Sequence, residues 1–196
     1  MKKKIVSLAL AVCLLAIAAV GTLAYFTDKD AATNTFTVGN VKIDLTETEW
    51  VDKSIANPGV SVAKNPVVEN TGDNDAYIRL DVTLSDWSAF AEAAANHEIT
   101  ALDDIFGGFS AKWERYAETQ DAEKDTMTYS YIYKDVVVAG DKTDAIFTSV
   151  TVPADFTSEE MENLGKDFTI DVHAFAIQAN GDQADLIAAL KAMVAE

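Results

Sequence analysis

His97-Glu98 opens the pattern His-Glu-x-x-His, in which two imidazoles one helical turn apart hold zinc and the glutamate activates its water. Position 101 is Ala101, so the second imidazole is missing from that helix face. The other histidine of the chain is His173, inside an alternating strand pattern. A zinc site would have to bring His97 and His173 together from different elements with a carboxylate. The plainer reading is a surface His97 and a His173 on the outer face of a strand. The single cysteine, Cys13, lies in an apolar N-terminal run, so the rest of the chain has no disulfide, thiolate nucleophile or cysteine metal site. No Gly-x-Ser-x-Gly elbow, phosphate-binding loop or dinucleotide fingerprint occurs. These residues assign no catalytic group, no cofactor and no small-molecule substrate.

Acidic pairs are frequent: Asp28/Asp30, Asp73/Asp75 and Asp103/Asp104. Loops of this kind can supply oxygen ligands to calcium, but none fits the twelve-residue loop with its closing Glu, and solvated loop charge is the preferred reading. Tyr129, Tyr131 and Tyr133 share one strand face. They could stack on a carbohydrate; more often such a ladder packs inside a sheet. Arg79 and Arg115 are the two arginines, and Arg79 is expected to pair with a carboxylate in a structural role.

The charge excludes whole function classes. The 196 residues carry 32 acidic and 15 basic side chains, a formal charge of −17. Three of the basic residues are Lys2, Lys3 and Lys4; without them 12 basic groups face 32 acidic ones, a net −20. Nucleic-acid binding needs clustered cations against phosphate, so no nucleic-acid partner is expected. Anchoring to anionic lipid is disfavoured for the same reason. Hydrophobic residues make up 49% of the chain, which argues for a packed core rather than disorder.

Residues 1–24 have the layout of a secretory signal: three lysines, an apolar run from Ile5 to Val20, then Gly21-Thr22-Leu23-Ala24. An uncleaved anchor over Ile5–Phe26 is the alternative, and acylation of Cys13 a weaker one because Val12 precedes it poorly. Residues 25–196 are read as one domain with no repeat and no linker.

Period-2 alternation marks strands. Phe36 and Val38 alternate with Thr35 and Thr37; Val41, Ile43 and Leu45 alternate with Lys42, Asp44 and Thr46. The parity change between them places a bulge or tight turn at Gly39-Asn40. Residues 58–70 are irregular strand, with Pro66 at an edge or bulge. Asn70 to Asp75 is a dense turn signal. Ile78, Leu80, Val82 and Leu84 then face one way and Tyr77, Arg79, Asp81 and Thr83 the other, the mark of a half-buried antiparallel strand. Trp87, Phe90, Ala91 and Ala94 switch to helical spacing, with Ser85 or Asp86 as cap, and a second short helix is expected around Ala101–Phe106. Strands are expected at 110–116, 126–138 and 145–152, with a polar insert at 118–125. A brief helix at 158–164 precedes a long strand with Phe168, Ile170, Val172, Ala174 and Ala176 on one face. The tail from Asp182 reads as a helix with a stripe of Leu186, Ile187, Leu190, Met193 and Val194. Such a run of short antiparallel strands predicts an all-β, jelly-roll-like sandwich with short helical insertions and a C-terminal helix.

Two stretches carry a resemblance. Gly21-Thr22-Leu23-Ala24-Tyr25-Phe26-Thr27-Asp28 with Ala32 to Val41, and Lys64-Asn65-Pro66 with Val68-Glu69-Asn70-Thr71-Gly72 and Asp75 to Arg79, resemble the TasA and camelysin family. Asp171-Val172 through Ala179 is similar to that family's last strand; no resemblance is named for the middle, residues 86–125. The family comprises exported proteins of Gram-positive bacteria whose leaders are cut by a SipW-type signal peptidase. The resemblance implies a cut between Ala24 and Tyr25, and a jelly-roll subunit of extracellular biofilm-matrix fibres. It also implies that the N-terminal segment of one subunit inserts as a strand into the next. Phe36, Val38, Val41, Ile43 and Leu45 are the candidate donor residues; the alternative is that they form the first strand of their own sheet.

The resulting expectation is a secreted, non-catalytic structural protein of the matrix or cell surface. Its partner is a second copy of itself or a paralogous fibre subunit. Camelysin-like members described as metalloproteases imply the first alternative, a secreted metallo-endopeptidase. The second is a monomeric adhesin or accessory protein that anchors fibres made by a paralogue.

Overall fold

The computed structural model describes residues 27–31, 34–36, 41–47, 58–97, 99, 105–164 and 168–194. Its strands, in chain order, are β1 (Thr27–Ala31), β2 (Asn34–Phe36), β3 (Ile43–Thr46), β4 (Ser61–Ala63), β5 (Val67–Asn70) and β6 (Ala76–Leu84). They continue with β7 (Phe106–Gly107), β8 (Trp113–Asp121), β9 (Thr126–Tyr133), β10 (Ser149–Thr151) and β11 (Ile170–Gln178). The helices are α1 (Trp87–Asn96), α2 (Ser158–Asn163) and α3 (Gln183–Lys191).

Strand pairings among the described residues are antiparallel and build three sheets. The largest has the order β2-β1-β11-β6-β9-β8; the others are β4-β10-β7 and β3-β5. The architecture is all-β and sandwich-like, with three short helices at its margins. β6 and β11 pair over nine residues, Ile170 opposite Leu84 through Gln178 opposite Ala76. Their alternation sends Ile78, Leu80, Val82 and Leu84 with Val172, Ala174 and Ala176 to the inner face. There they meet Val41, Ile43 and Val68 of the β3-β5 side and Phe106 and Val150 of the third sheet in one core. Tyr129, Tyr131 and Tyr133 also point into this core and are buried, which is the packing expected of such a ladder. Burial pushes the Tyr129 hydroxyl up to about 12, helped by the Glu118 carboxylate.

The outer face departs from the half-buried expectation for β6. Tyr77, Arg79 and Asp81 are buried as well, and Thr83 alone of that face stays partly exposed. Helix α3 lies over them, and Leu190 joins Tyr77, Ile132, Phe175 and Ile177 in a second apolar cluster. A strand pattern records which residues share a face, not whether a distant helix later covers that face.

Other differences have local causes. Ala93, not Ala91, is buried with Phe90 and Ala94 on α1. Asp86 precedes α1 in a left-handed conformation, φ 46°, and makes no capping bond from its side chain. Asp125 caps the helix instead: Ser88 donates its backbone N–H to Oδ1 at 2.9 Å and its hydroxyl to Oδ2 at 2.7 Å. Phe106 is in a strand, with its ring stacked 4.2 Å from Phe147, rather than in a second helix. The polar stretch from Glu118 is the far half of β8 and its hairpin turn, because cross-strand pairing with β9 continues to Asp121. Val194 stands exposed beyond the end of α3. The turn expected at Gly39-Asn40 and the residues Ala101 to Asp104 lie outside the described residues.

Candidate functional site

The N-terminal strand pair is the first candidate. β1 runs along β11, Thr27 opposite Ile177 and Ala31 opposite His173. The shorter β2 folds back on β1, with Phe36 opposite Lys29, and ends the sheet. The chain then enters its own core. Val41 and Ile43 are fully buried, Leu45 nearly so, and β3 pairs with β5 from Ile43 opposite Asn70 to Thr46 opposite Val67. The candidate donor residues are thus divided: Phe36 closes the outer hairpin, while Val41, Ile43 and Leu45 pack beneath the sheet. Val38, and the expected cut between Ala24 and Tyr25, lie outside the described residues.

The residues of the second resembling stretch hold this arrangement together. Asn70 is fully buried; its amide donates to the carbonyls of Asn74 (2.8 Å) and Val137 (2.9 Å), and its Oδ1 accepts the Gly72 N–H. It thereby closes the turn that follows β5 and ties it to the 137–140 loop. Lys64, also buried, reaches the Glu47 carboxylate at 2.7 Å. Arg79 pairs with Asp81 through two bonds of 3.0 and 2.6 Å. Its remaining guanidinium nitrogen donates to the carbonyls of Leu190 and Met193, each at 2.8 Å. The guanidinium lies 3.9 Å over the Phe175 ring. Leu190 stands in the last turn of α3 and Met193 just past it, so a buried cation sits at the negative end of the helix and complements its dipole. Arg79 is structural, as expected, but its second partner is a helix end 111 or more positions away.

The histidine corner is the second candidate. His97 follows α1 as its C-cap and is partly buried rather than on the open surface. Its Nε2 lies 2.9 Å from Glu160 Oε2, and its ring packs on Phe156 with centroids 5.3 Å apart. Glu160 belongs to the capping box of α2: its Oε2 accepts the Thr157 N–H at 2.8 Å, and its own N–H donates to Thr157 Oγ1. Asn96 donates to Oε1 at 3.1 Å. These donors, the Thr157 N–H foremost and His97 next, hold the Glu160 carboxyl down at about 2. Thr157-Ser158-Glu159-Glu160 carries the capping-box spacing openly; its link to His97 leaves no mark in sequence.

His173 is elsewhere. It alternates with Val172 and Ala174, which face the inner core, so it stands on the outer side with Phe175 and Ile177. His97 packs on Phe156 of the inner core. The six-stranded sheet therefore separates the two imidazoles. Among the described residues, no three His, Cys, Asp or Glu side chains gather as a metal site. Asp103 and Asp104 lie outside the described residues. Asp73 and Asp75 flank the turn that Asn70 closes, and Asp75 accepts the Ala139 N–H.

Residues 1–99, half the chain, match the family model described as camelysin metallo-endopeptidase. The chain belongs to the camelysin family. The match covers both stretches on which the resemblance rests, and ends just past His97. No curated protein and no solved structure matches the chain. The family description implies a metal, and peptidase zinc sites take two or three imidazoles at about 2 Å together with a carboxylate. With two histidines on opposite sides of a sheet, the residues of this camelysin-family chain do not fit that centre. Among the described residues no helix is long and apolar enough to cross a membrane.

Proposed function

We propose that this chain is a secreted structural protein that self-assembles into extracellular matrix fibres, with Thr27–Phe36 as the segment that moves between subunits. The observation that carries the reading is the place of β1. It pairs with β11 along five residues, with the three-residue β2 beyond it at the end of the sheet, and precedes the buried Val41. Backbone bonds to β11 are the same whether β1 comes from its own chain or from the next, so exchange conserves them. Removal of a leader before Tyr25 would free the start of this segment, so export processing and assembly would be coupled. From Phe36 to the buried Val41 the chain reaches at most about 17 Å, which limits how far the neighbouring β11 can lie if only this segment crosses.

The test is electron microscopy of the protein beginning at Tyr25, beside a variant lacking residues 25–36. Fibres from the first and soluble, folded monomers from the second are expected, with a synthetic 25–36 peptide binding to the truncated form. Fibres that survive the truncation would remove the donor role. A protein that stays monomeric at all pH and salt values would move the reading to an adhesin or fibre-anchoring accessory.

A further inference from the structure

We infer that this chain is a camelysin-family member without a zinc centre, in which His97 is a structural latch joining α1 to α2. Three observations carry it. First, the His97 nitrogen that faces Glu160 is already spent. Nε2 sits 2.9 Å from Glu160 Oε2. A carboxylate only accepts, so that nitrogen carries the proton and has no lone pair for a metal. Second, Glu160 is spent as well, with its two oxygens taking Thr157, His97 and Asn96. Third, the second histidine lies across the six-stranded sheet.

The latch has a clear mechanical position. His97 is at the end of the matched residues 1–99, and Glu160 comes from the half beyond them. One carboxylate therefore gathers the last two residues of the α1 end and the first turn of α2. Phe156, one residue before the α2 cap, meets both the His97 ring and Phe90 of α1. Glu92 of α1 and Glu159 of α2 line the same polar cleft.

The experiment uses the whole protein from Tyr25 onward, as wild type, His97→Ala, His97→Gln and His173→Gln. Each is treated with chelator, dialysed, titrated calorimetrically with zinc chloride, and melted with and without zinc. The inference expects the same weak zinc uptake in all four and no change in wild-type Tm on chelation. It also expects His97→Ala to melt roughly 2–4 °C below wild type. His97→Gln, whose amide can still donate to Glu160, should recover most of that loss. One tightly held zinc per wild-type chain that either histidine variant loses would overturn the inference. So would a His97→Ala protein that melts like wild type. If His97→Ala does not fold, the comparison of wild type with His97→Gln and the zinc titration still decide.

Discussion

The two edges of the six-stranded sheet are built on opposite plans. At one end β8 runs nine residues and is, among the described residues, the last strand of the sheet. Its Glu114, Arg115, Glu118, Thr119 and Gln120 are exposed, and the register slips between Arg115 and Ala117, a bulge at Tyr116. Charge and a bulge are what keep a long edge from pairing with a stranger. Helix α3 backs this edge, with the Lys191 ammonium 4.7 Å over the Tyr116 ring. At the other end stand the short β1 and β2, ahead of the buried Val41. The contrast teaches that one edge of a sheet can be guarded against additions while the other ends in short strands, which is where the proposed exchange is set.

Tethering would break this comparison most completely. Ala31 and His173 are cross-strand partners. With Ala31→Cys and His173→Cys, an oxidised bridge would fix β1 in its own chain. All fibres should disappear on oxidation and return on reduction, read by sedimentation and microscopy; fibres from the oxidised protein would refute exchange.

Next in size is the docking of α3 on β6. Arg79→Met leaves Asp81 buried without its cation and the end of α3 without its guanidinium. Chemical denaturation should show a loss of about 3 kcal/mol or more, since breaking one side of a buried pair costs that much. A smaller effect is expected from blunting in reverse. Glu114→Val with Glu118→Val on β8 should make the monomer associate side by side, seen as higher light scattering, without restoring fibres to the truncated protein. Asp125→Ala should cost about 1 kcal/mol, the worth of one helix cap, and leave both edges as they are.

Acid sharpens the same contrast. A strongly negative chain repels its copies, so lowering pH from 7 toward 5 or adding salt should speed fibre growth. Glu160 sets a lower limit. Its carboxyl is held at about 2 in the folded chain, against 4.5 ordinarily. Its contribution to stability is therefore full above about 4.5 and is lost as pH falls from there toward 2. Fibre yield measured across pH should rise with acidity before the α1–α2 corner loosens. Faster assembly at high pH and low salt would contradict the charge account.

Much of this molecule is legible from its residues. The alternation of Ile78 to Leu84 and of Ile170 to Ala176 is a property of the local chain, because successive side chains on a strand must point to opposite faces. Asp182 caps α3 for an equally local reason: its carboxylate accepts the N–H groups of Ala184 and Asp185 just ahead. The missing imidazole at Ala101, the family stretches and the acid excess are likewise plain in the sequence.

What depended on distant residues was not legible. The cap of α1 came from Asp125, 37 positions from Ser88, because Asp86 is turned left-handed and cannot reach. The outer face of β6 was buried by a helix more than a hundred positions later. His97 found its carboxylate 63 positions away, and His173 was placed behind a sheet from it. Sequence alone determined which side chains share a face and what chemistry they carry, since that follows from backbone periodicity and residue type. Only the tertiary structure decided which faces are covered, which donors meet which acceptors, and that the two histidines stand apart, because packing joins segments that no local period connects.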